Sequence, residues 1–203
     1  MQLMKTQLIK DILVSEPDGR LVTICGWVRT KRDSKNLCFI QVNDGSCFAT
    51  IQLTFDRENA NPNNENIENT LPNVTTGASI KATGKLIPSP ASGQAVEVAL
   101  ETLEVLGVSP SDYPLQKKGH TVEFLRENSH LRARTNMFGA VARMRSEMAF
   151  AVHSFFQEKG FFYFNAPLIT CSDCEGAGEM FQVTTLDMAR IAEEGIKAGA
   201  KGM

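Results

Sequence analysis

Five short runs of alternating apolar and polar residues, each closed by Gly, Pro, Asn or Asp, occupy the chain from Leu21 to Leu106 and confine it to a small β-sheet or barrel. The runs fall at Leu21–Lys31, Leu37–Asn43, Cys47–Phe55, Ala78–Ile87 and Ala95–Leu106, with Asn43-Asp44-Gly45-Ser46 supplying turn chemistry between the second and third. Side chains alternate across a strand, so Cys38, Ile40 and Val42 form one apolar set with Cys47, Ala49, Ile51 and Leu53. That set is the expected barrel filling. The opposite face carries Phe39 and Gln41 beside Phe48, Thr50 and Gln52. In the first run Val22, Ile24 and Val28 alternate with the equally apolar Cys25 and Trp27, which predicts a bulge there or cover from another element. Thr6–Val14 can give that cover as a helix, with Ile9, Ile12 and Leu13 on one face, Thr6 as its cap, and the barrel end as its seat.

Between the third and fourth runs lies Asp56–Gly77, rich in Asn, holding Pro62 and Pro72 and able to form a helical turn around Glu65–Leu71. Three strands, a long connection and two more strands is the order of an OB-fold, an all-β five-stranded Greek-key barrel whose face often binds single-stranded nucleic acid. An aromatic on a polar outer face makes a stacking platform for an unpaired base, and Phe39 fits that description; ordinary packing under a loop is the alternative. The net charge of −2 allows a local basic patch but not a basic coat. Arg29, Lys31, Arg32 and Lys35 place such a patch on the first-strand edge.

Gly107–Thr135, with Pro110, Pro114, Gly119 and many charges, reads as a hinge after a first domain of residues 1–106. From residue 136 onward the character changes. Met137, Val141, Met144, Met148, Val152 and Phe155 recur at helical spacing in Asn136–Lys159, which holds no Pro and ends at Gly160. A helix of about 36 Å exceeds what a small barrel needs, so its apolar face predicts core or interface burial, as does the strand Phe161–Phe164 before Pro167. His153 sits on that helix as a structural residue.

Five cysteines, an odd number without disulfide-scaffold spacing, suit a reducing compartment. Cys171-x-x-Cys174 lacks a second ligand pair and reads as two loop thiols, so no metal site is expected. Met1–Gly19 lacks the continuous apolar core of a signal peptide, and no run is long enough to span a membrane, so the expected location is the cytoplasm.

The run Gly160-Phe161-Phe162-Tyr163-Phe164-Asn165-Ala166-Pro167-Leu168-Ile169 after a long helix resembles motif 1 of the class II aminoacyl-tRNA synthetases. Gly26-Trp27-Val28-Arg29 with Arg32-Asp33 is similar to the barrel opening of that family's aspartyl and asparaginyl branch. Asn43-Asp44-Gly45-Ser46-Cys47 and Glu175-Gly176-Ala177-Gly178-Glu179-Met180-Phe181 look closer to the asparaginyl side. The resemblance runs from Leu21 to about Leu186. It implies an OB-fold that binds the tRNA anticodon, then a hinge, then the truncated start of an α+β class II catalytic domain over residues 136–203.

Carried onto this chain, the resemblance makes Phe39 the aromatic that stacks on the middle anticodon base and Arg32 a basic anticodon contact, with Arg29 on the same edge. Gln52 resembles the glutamine that reads the first anticodon base, with Thr50 as the alternative. Glu175, in a loop loosened by Gly176 and Gly178, matches the carboxylate that meets the amino group of the substrate amino acid; a solvated turn is the other reading. His120, Glu123, Arg126, His130, Arg132 and Arg134 resemble the hinge signature, and a charged interdomain network is expected of them. Gly160 and Pro167 belong to the motif 1 dimer interface.

The family uses ATP and Mg2+ to form an aminoacyl adenylate, then passes the amino acid to tRNA. Motif 2, with its Arg and Glu, and the Gly-rich motif 3 are not found, and no catalytic residue is assigned. The expectation is an asparagine tRNA ligase present as an N-terminal fragment, inactive alone and binding no cofactor productively. Its expected partners are tRNA and a second copy of the chain, without DNA or membrane. An aspartyl enzyme fragment and a non-catalytic tRNA-binding module are the competing readings.

Overall fold

In the computed structural model, which describes residues 6–91, 93–167, 169 and 183–197, the alternating runs close into a barrel. Its strands are β1 (Leu21–Asp33), β2 (Leu37–Asn43), β3 (Ile51–Asp56), β4 (Ser79–Pro88) and β5 (Val96–Gly107), ordered β1-β2-β3-β5-β4 around the wall. All neighbours are antiparallel except β3 and β5, which run parallel with Leu53 opposite Val98. Ile40, Val42, Ile51 and Leu53 fill the interior with Val22, Ile24, Ile80, Leu86 and Val98, all fully or almost fully buried. Each such side chain contributes about 1.5–3 kcal/mol by leaving water, so the barrel has its own core.

Two expectations about this core are corrected. The third strand begins at Ile51, not Cys47, because the Asn43 side chain donates to the carbonyls of Cys47 (2.9 Å) and Ala49 (2.7 Å) and draws that segment out of the ladder. Ala49 is therefore exposed and Cys47 only touches the edge of the core. The N-terminal helix is shorter than its apolar pattern, α1 (Ile9–Leu13), and Thr6 does not cap it. The helix starts past Thr6, and the Asp44 carboxylate takes the bond instead: Ile9 N–H donates to it at 2.8 Å, while Lys10 N–H donates to Ser46 Oγ at 3.1 Å. Five residues do not hold a helix alone. Here the seat is the barrel end, into which Ile9 and Ile12 are wholly buried.

The Asn-rich connection forms α2 (Asn64–Thr70) and a 3-10 turn, Leu71–Asn73, which cover the other barrel end with Ile67 and Leu71. Its asparagines have a mechanical use. The Asn61 and Asn63 amides donate to the carbonyl of Glu101 at 3.2 and 3.1 Å, tying the connection to β5. Arg57 ties it to the β1–β2 turn by donating to Asp33 (2.9 Å), the Ser34 carbonyl (2.7 Å) and Glu68. The Glu68 hydrogen bond, with help from Asp33, raises the pKa of that guanidinium further.

By internal contacts the chain falls into two units, Met1–Ala149 and Phe150–Met203. The first also holds α3 (Val122–Glu127), capped by Thr121 and anchored by the buried Leu125, and the 3-10 turn Arg132–Arg134. It ends within α4 (Asn136–Glu158). The second contains the rest of α4, stopped by Gly160 at φ 86°, then Phe161–Pro167, then α5 (Met188–Lys197). Burial of α4 within the chain and a strand at Phe161–Phe164 are not observed. No residue of α4 is buried, Phe162 is 97% exposed, and the segment pairs with no strand among the described residues. His153 meets Tyr163 edge to face at 4.8 Å, a packing contact.

Candidate nucleic-acid interface

One extra residue in β1 decides which side chains reach the outer face. Val28 pairs with Val42, but Thr30 pairs with Gln41, so β1 spends two residues where β2 spends one and Arg29 is the bulge. Strict alternation would have sent Thr30 and Arg32 inward behind Val28. The bulge restores them to the outside, where Arg32 lies opposite Phe39 and Thr30 opposite Gln41. Continuing across β3, Phe39 stands beside Thr54 and Gln41 beside Gln52. Arg32 is exposed, while Phe39, Gln41 and Gln52 are half-buried.

Hydrogen bonds hold both amides on this face. Gln52 Nε2 donates to Glu97 Oε2 at 3.1 Å, and since a carboxylate only accepts, the Gln52 carbonyl oxygen is left for a ligand. Thr30 Oγ1 donates to Gln41 Oε1 at 3.0 Å, which leaves the Gln41 NH2 group as a donor. Glu97 is itself 4% exposed and also accepts from Ser89 Oγ at 3.2 Å. An aromatic ring, one free acceptor, one free donor and a guanidinium thus share a surface. Such a set can stack a base and read its hydrogen-bonding edge.

Sequence reading did not single out Glu97. It sits between Val96 and Val98 as a lone charge in an apolar run, which was the available signal. Its alignment with Gln52 depends on the parallel β3–β5 pairing, which local pattern does not fix.

Other proposed site residues lie elsewhere. Arg29 turns from the Phe39 face, donating to the Arg134 carbonyl and to Asn136 Oδ1 at 3.5 Å. Thr50 precedes β3 and lines a cleft with Arg29 and Phe48, so it shares no strand ladder with Gln52. Lys31 faces the barrel end and donates to the Leu71 carbonyl at 2.7 Å. Lys35 is exposed in the β1–β2 turn. Gly160 ends α4, and Pro167 is exposed beyond it. Glu175, Gly176 and Gly178 lie outside the described residues, as do Cys171 and Cys174.

Arg132 lies over the Phe138 ring at 5.0 Å and Arg134 over Trp27 at 4.8 Å, and neither is in an ion pair among the described residues. His120 stacks on Phe124 at 5.0 Å. Among the described residues no three His, Cys, Asp or Glu side chains are grouped to hold a metal ion, and no helix is long and apolar enough to cross a membrane.

Residues 22–106 match a family described as an OB-fold nucleic acid binding domain, and residues 121–191 match the class II tRNA synthetases for D, K and N. The chain is 57% identical over 191 residues to an asparagine–tRNA ligase of Treponema denticola, covering 94% of this chain and 40% of that protein. A second such ligase, from Phocaeicola vulgatus, is 52% identical over 92% of this chain and 38% of its own length. In fold, asparaginyl-tRNA synthetase from Pyrococcus horikoshii complexed with asparaginyl-adenylate superposes with a TM-score of 0.75 at 20% identity, over 91% of this chain and 42% of that one. The chain therefore spans about 40% of the length of the curated relatives it matches. A barrel of the anticodon-binding type, followed by the opening of a class II domain and close in sequence to asparaginyl enzymes, places this chain in the class II aminoacyl-tRNA synthetase family, on its asparaginyl branch.

Proposed function

We propose that this chain is the tRNA-reading part, with the catalytic opening, of an enzyme that uses ATP to join asparagine to its tRNA. The observation that carries the reading is the outer face of β1–β3, where Phe39 lies between Arg32 and Thr54, two residues along the strands from the paired Gln41 and Gln52 amides. Phe39 takes the middle anticodon base by stacking, and Gln52 offers its carbonyl oxygen to the first base. Arg32 adds a cation beside the stack. Arg29 supports this from beneath, by forming the bulge that turns Arg32 outward.

In the whole enzyme ATP and magnesium would supply the phosphate chemistry of adenylate formation. The described residues offer no carboxylate cluster for the cation, so no step through it is assigned to them. We divide the chain at residues 1–106, 107–135 and 136–203, and assign α4 with its exposed Met144, Met148 and Phe155 to pairing with a second copy. The cytoplasm is the matching compartment.

The test compares anticodon stem-loops that carry the asparagine and aspartate anticodons, which differ at the third base. Tighter binding of the asparagine form is expected. Equal binding would contradict the asparagine assignment, and no binding of either would contradict the RNA reading.

A further inference from the structure

A second concave surface lies beside the base-reading face, entirely within the Met1–Ala149 unit. It is a cleft of about 1120 Å3 between the end of the barrel, the hinge and the first turns of α4. Arg29, Lys117, Lys118, Arg134 and Arg143 line it, and no Asp or Glu does. None of the five is in an ion pair among the described residues. In a chain whose net charge is −2, five cations converging on one hollow without a carboxylate is not the chance composition of its surface. Like charges held together repel, and walls of low dielectric strengthen the repulsion, so such a hollow is relieved by an anion.

The arginines are also held in place. Arg134 lies over Trp27 at 4.8 Å and is 3.4 Å from Tyr113 Oη, while Arg143 lies over the Phe48 ring at 5.0 Å and donates to the Gly45 carbonyl. These contacts orient each guanidinium without neutralising it. The lysines remain exposed and free to follow a ligand. The N-terminus of α4 opens on the same space and adds partial positive charge. Thr30 and Gln41 belong both to the cleft and to the base-reading face, so the two surfaces adjoin.

We infer that this cleft is a binding site for phosphate groups, distinct from the Phe39 face and indifferent to base identity. The phosphate can come from the backbone of an RNA already stacked on Phe39, which rests on the proposed function, or from a free polyphosphate such as the tail of a nucleotide. Trp27 gives a direct readout, because it is the single tryptophan and forms part of the cleft wall.

The experiment titrates the full chain with inorganic tripolyphosphate at moderate salt and follows Trp27 emission. A saturable change is expected, weakened about tenfold or more in Lys117→Gln/Lys118→Gln and again in Arg143→Gln, as fits the loss of charge-assisted bonds. Lys85→Gln, which removes a cation paired with Glu101 away from the cleft, and Phe39→Ala should bind tripolyphosphate like the parent. A second arm adds an anticodon stem-loop. Displacement of tripolyphosphate by RNA assigns the site to the RNA backbone, and simultaneous binding assigns it to a free polyphosphate. Unmoved Trp27 emission, or equal affinity in the parent and the cleft variants, overturns the inference. If the RNA binds through Phe39 while tripolyphosphate does not bind, the cleft fails alone; if tripolyphosphate binds and RNA does not, the anticodon reading fails alone.

Discussion

Replacing Asp44 by Ala should loosen the N-terminal plug of the barrel. The Asp44 carboxylate accepts from Ile9 N–H (2.8 Å), Ser46 N–H (2.9 Å) and Ser46 Oγ (2.6 Å), so one side chain holds both the helix start and the β2–β3 turn. Loss of a helix cap costs about 0.5–2 kcal/mol, and a hydrogen bond to a charged group is worth about 1.5–3 kcal/mol before water replaces part of it. Because the site is partly open to solvent, a net loss of about 2 kcal/mol is expected. A ceiling exists. Once the loss reaches the roughly 3–6 kcal/mol gained by burying Ile9 and Ile12, α1 detaches and the barrel opens at that end. Urea unfolding followed by Trp27 emission should show a midpoint lower by roughly 1 M, for a slope near 2 kcal/mol per M. The pH dependence carries a sign. Partial burial pushes the Asp44 pKa up, but hydrogen bonds from Ser46 and the Ile9 backbone outweigh it, leaving the value below the usual carboxylate range. Its contribution is therefore complete above the unfolded value of about 3.9 and is lost as pH falls through the lower folded value. The deficit of Asp44→Ala should stay constant from neutral pH down to about 5 and shrink only below about 4. An unchanged midpoint, or a deficit that vanishes near pH 6, would refute the capping role.

Gly84→Ala should destabilise the barrel by about 1–3 kcal/mol, because a Cβ there would lie 2.1 Å from the Ala99 carbonyl oxygen at the β4–β5 register shift; a melting temperature like the parent's would contradict this. Burial pushes the Cys38 thiol up to about 11, so it should resist iodoacetamide at pH 8 in the folded chain while the half-buried Cys25 and Cys47 react; peptide mapping that finds Cys38 labelled as fast would refute it. Self-association through α4 should appear in sedimentation at micromolar concentration and be reduced by Met148→Glu, whereas a parent that is strictly monomeric would sink the pairing proposal.

The barrel was legible because period-two alternation and turn residues act locally. β2 was located at Leu37–Asn43 from pattern alone, whereas the apolar residues on both faces of β1 pointed to a bulge or to cover without deciding between them: the bulge lies at Arg29, past that stretch, and α1 buries Ile9 and Ile12 at the barrel end. What was lost depended on long-range partners. The start of β3 failed because the Asn43 side chain competes for carbonyls that an isolated strand pattern assigns to the ladder. The α1 cap failed because its acceptor, Asp44, lies 35 residues away. The basic edge divided for the same reason: a one-residue bulge decides whether Arg29 or Arg32 reaches the outer face. Glu97 went unseen because its meaning comes from Gln52 on another strand. Resemblance named Phe39 and Gln52, but the geometry supplies the orientation of the Gln52 amide.

The most direct test of the account is the affinity of Phe39→Ala for the anticodon stem-loop of asparagine tRNA, measured beside the parent at matched salt. Phe39 faces outward between Arg32 and Thr54, and the interior is filled by its neighbours Cys38 and Ile40, so the substitution should leave the circular dichroism unchanged. Losing a base–aromatic stack costs about 1–3 kcal/mol, so the dissociation constant should rise by about 5- to 150-fold. A variant that keeps its fold and binds the stem-loop as tightly as the parent would make Phe39 a packing residue and contradict the anticodon-reading face.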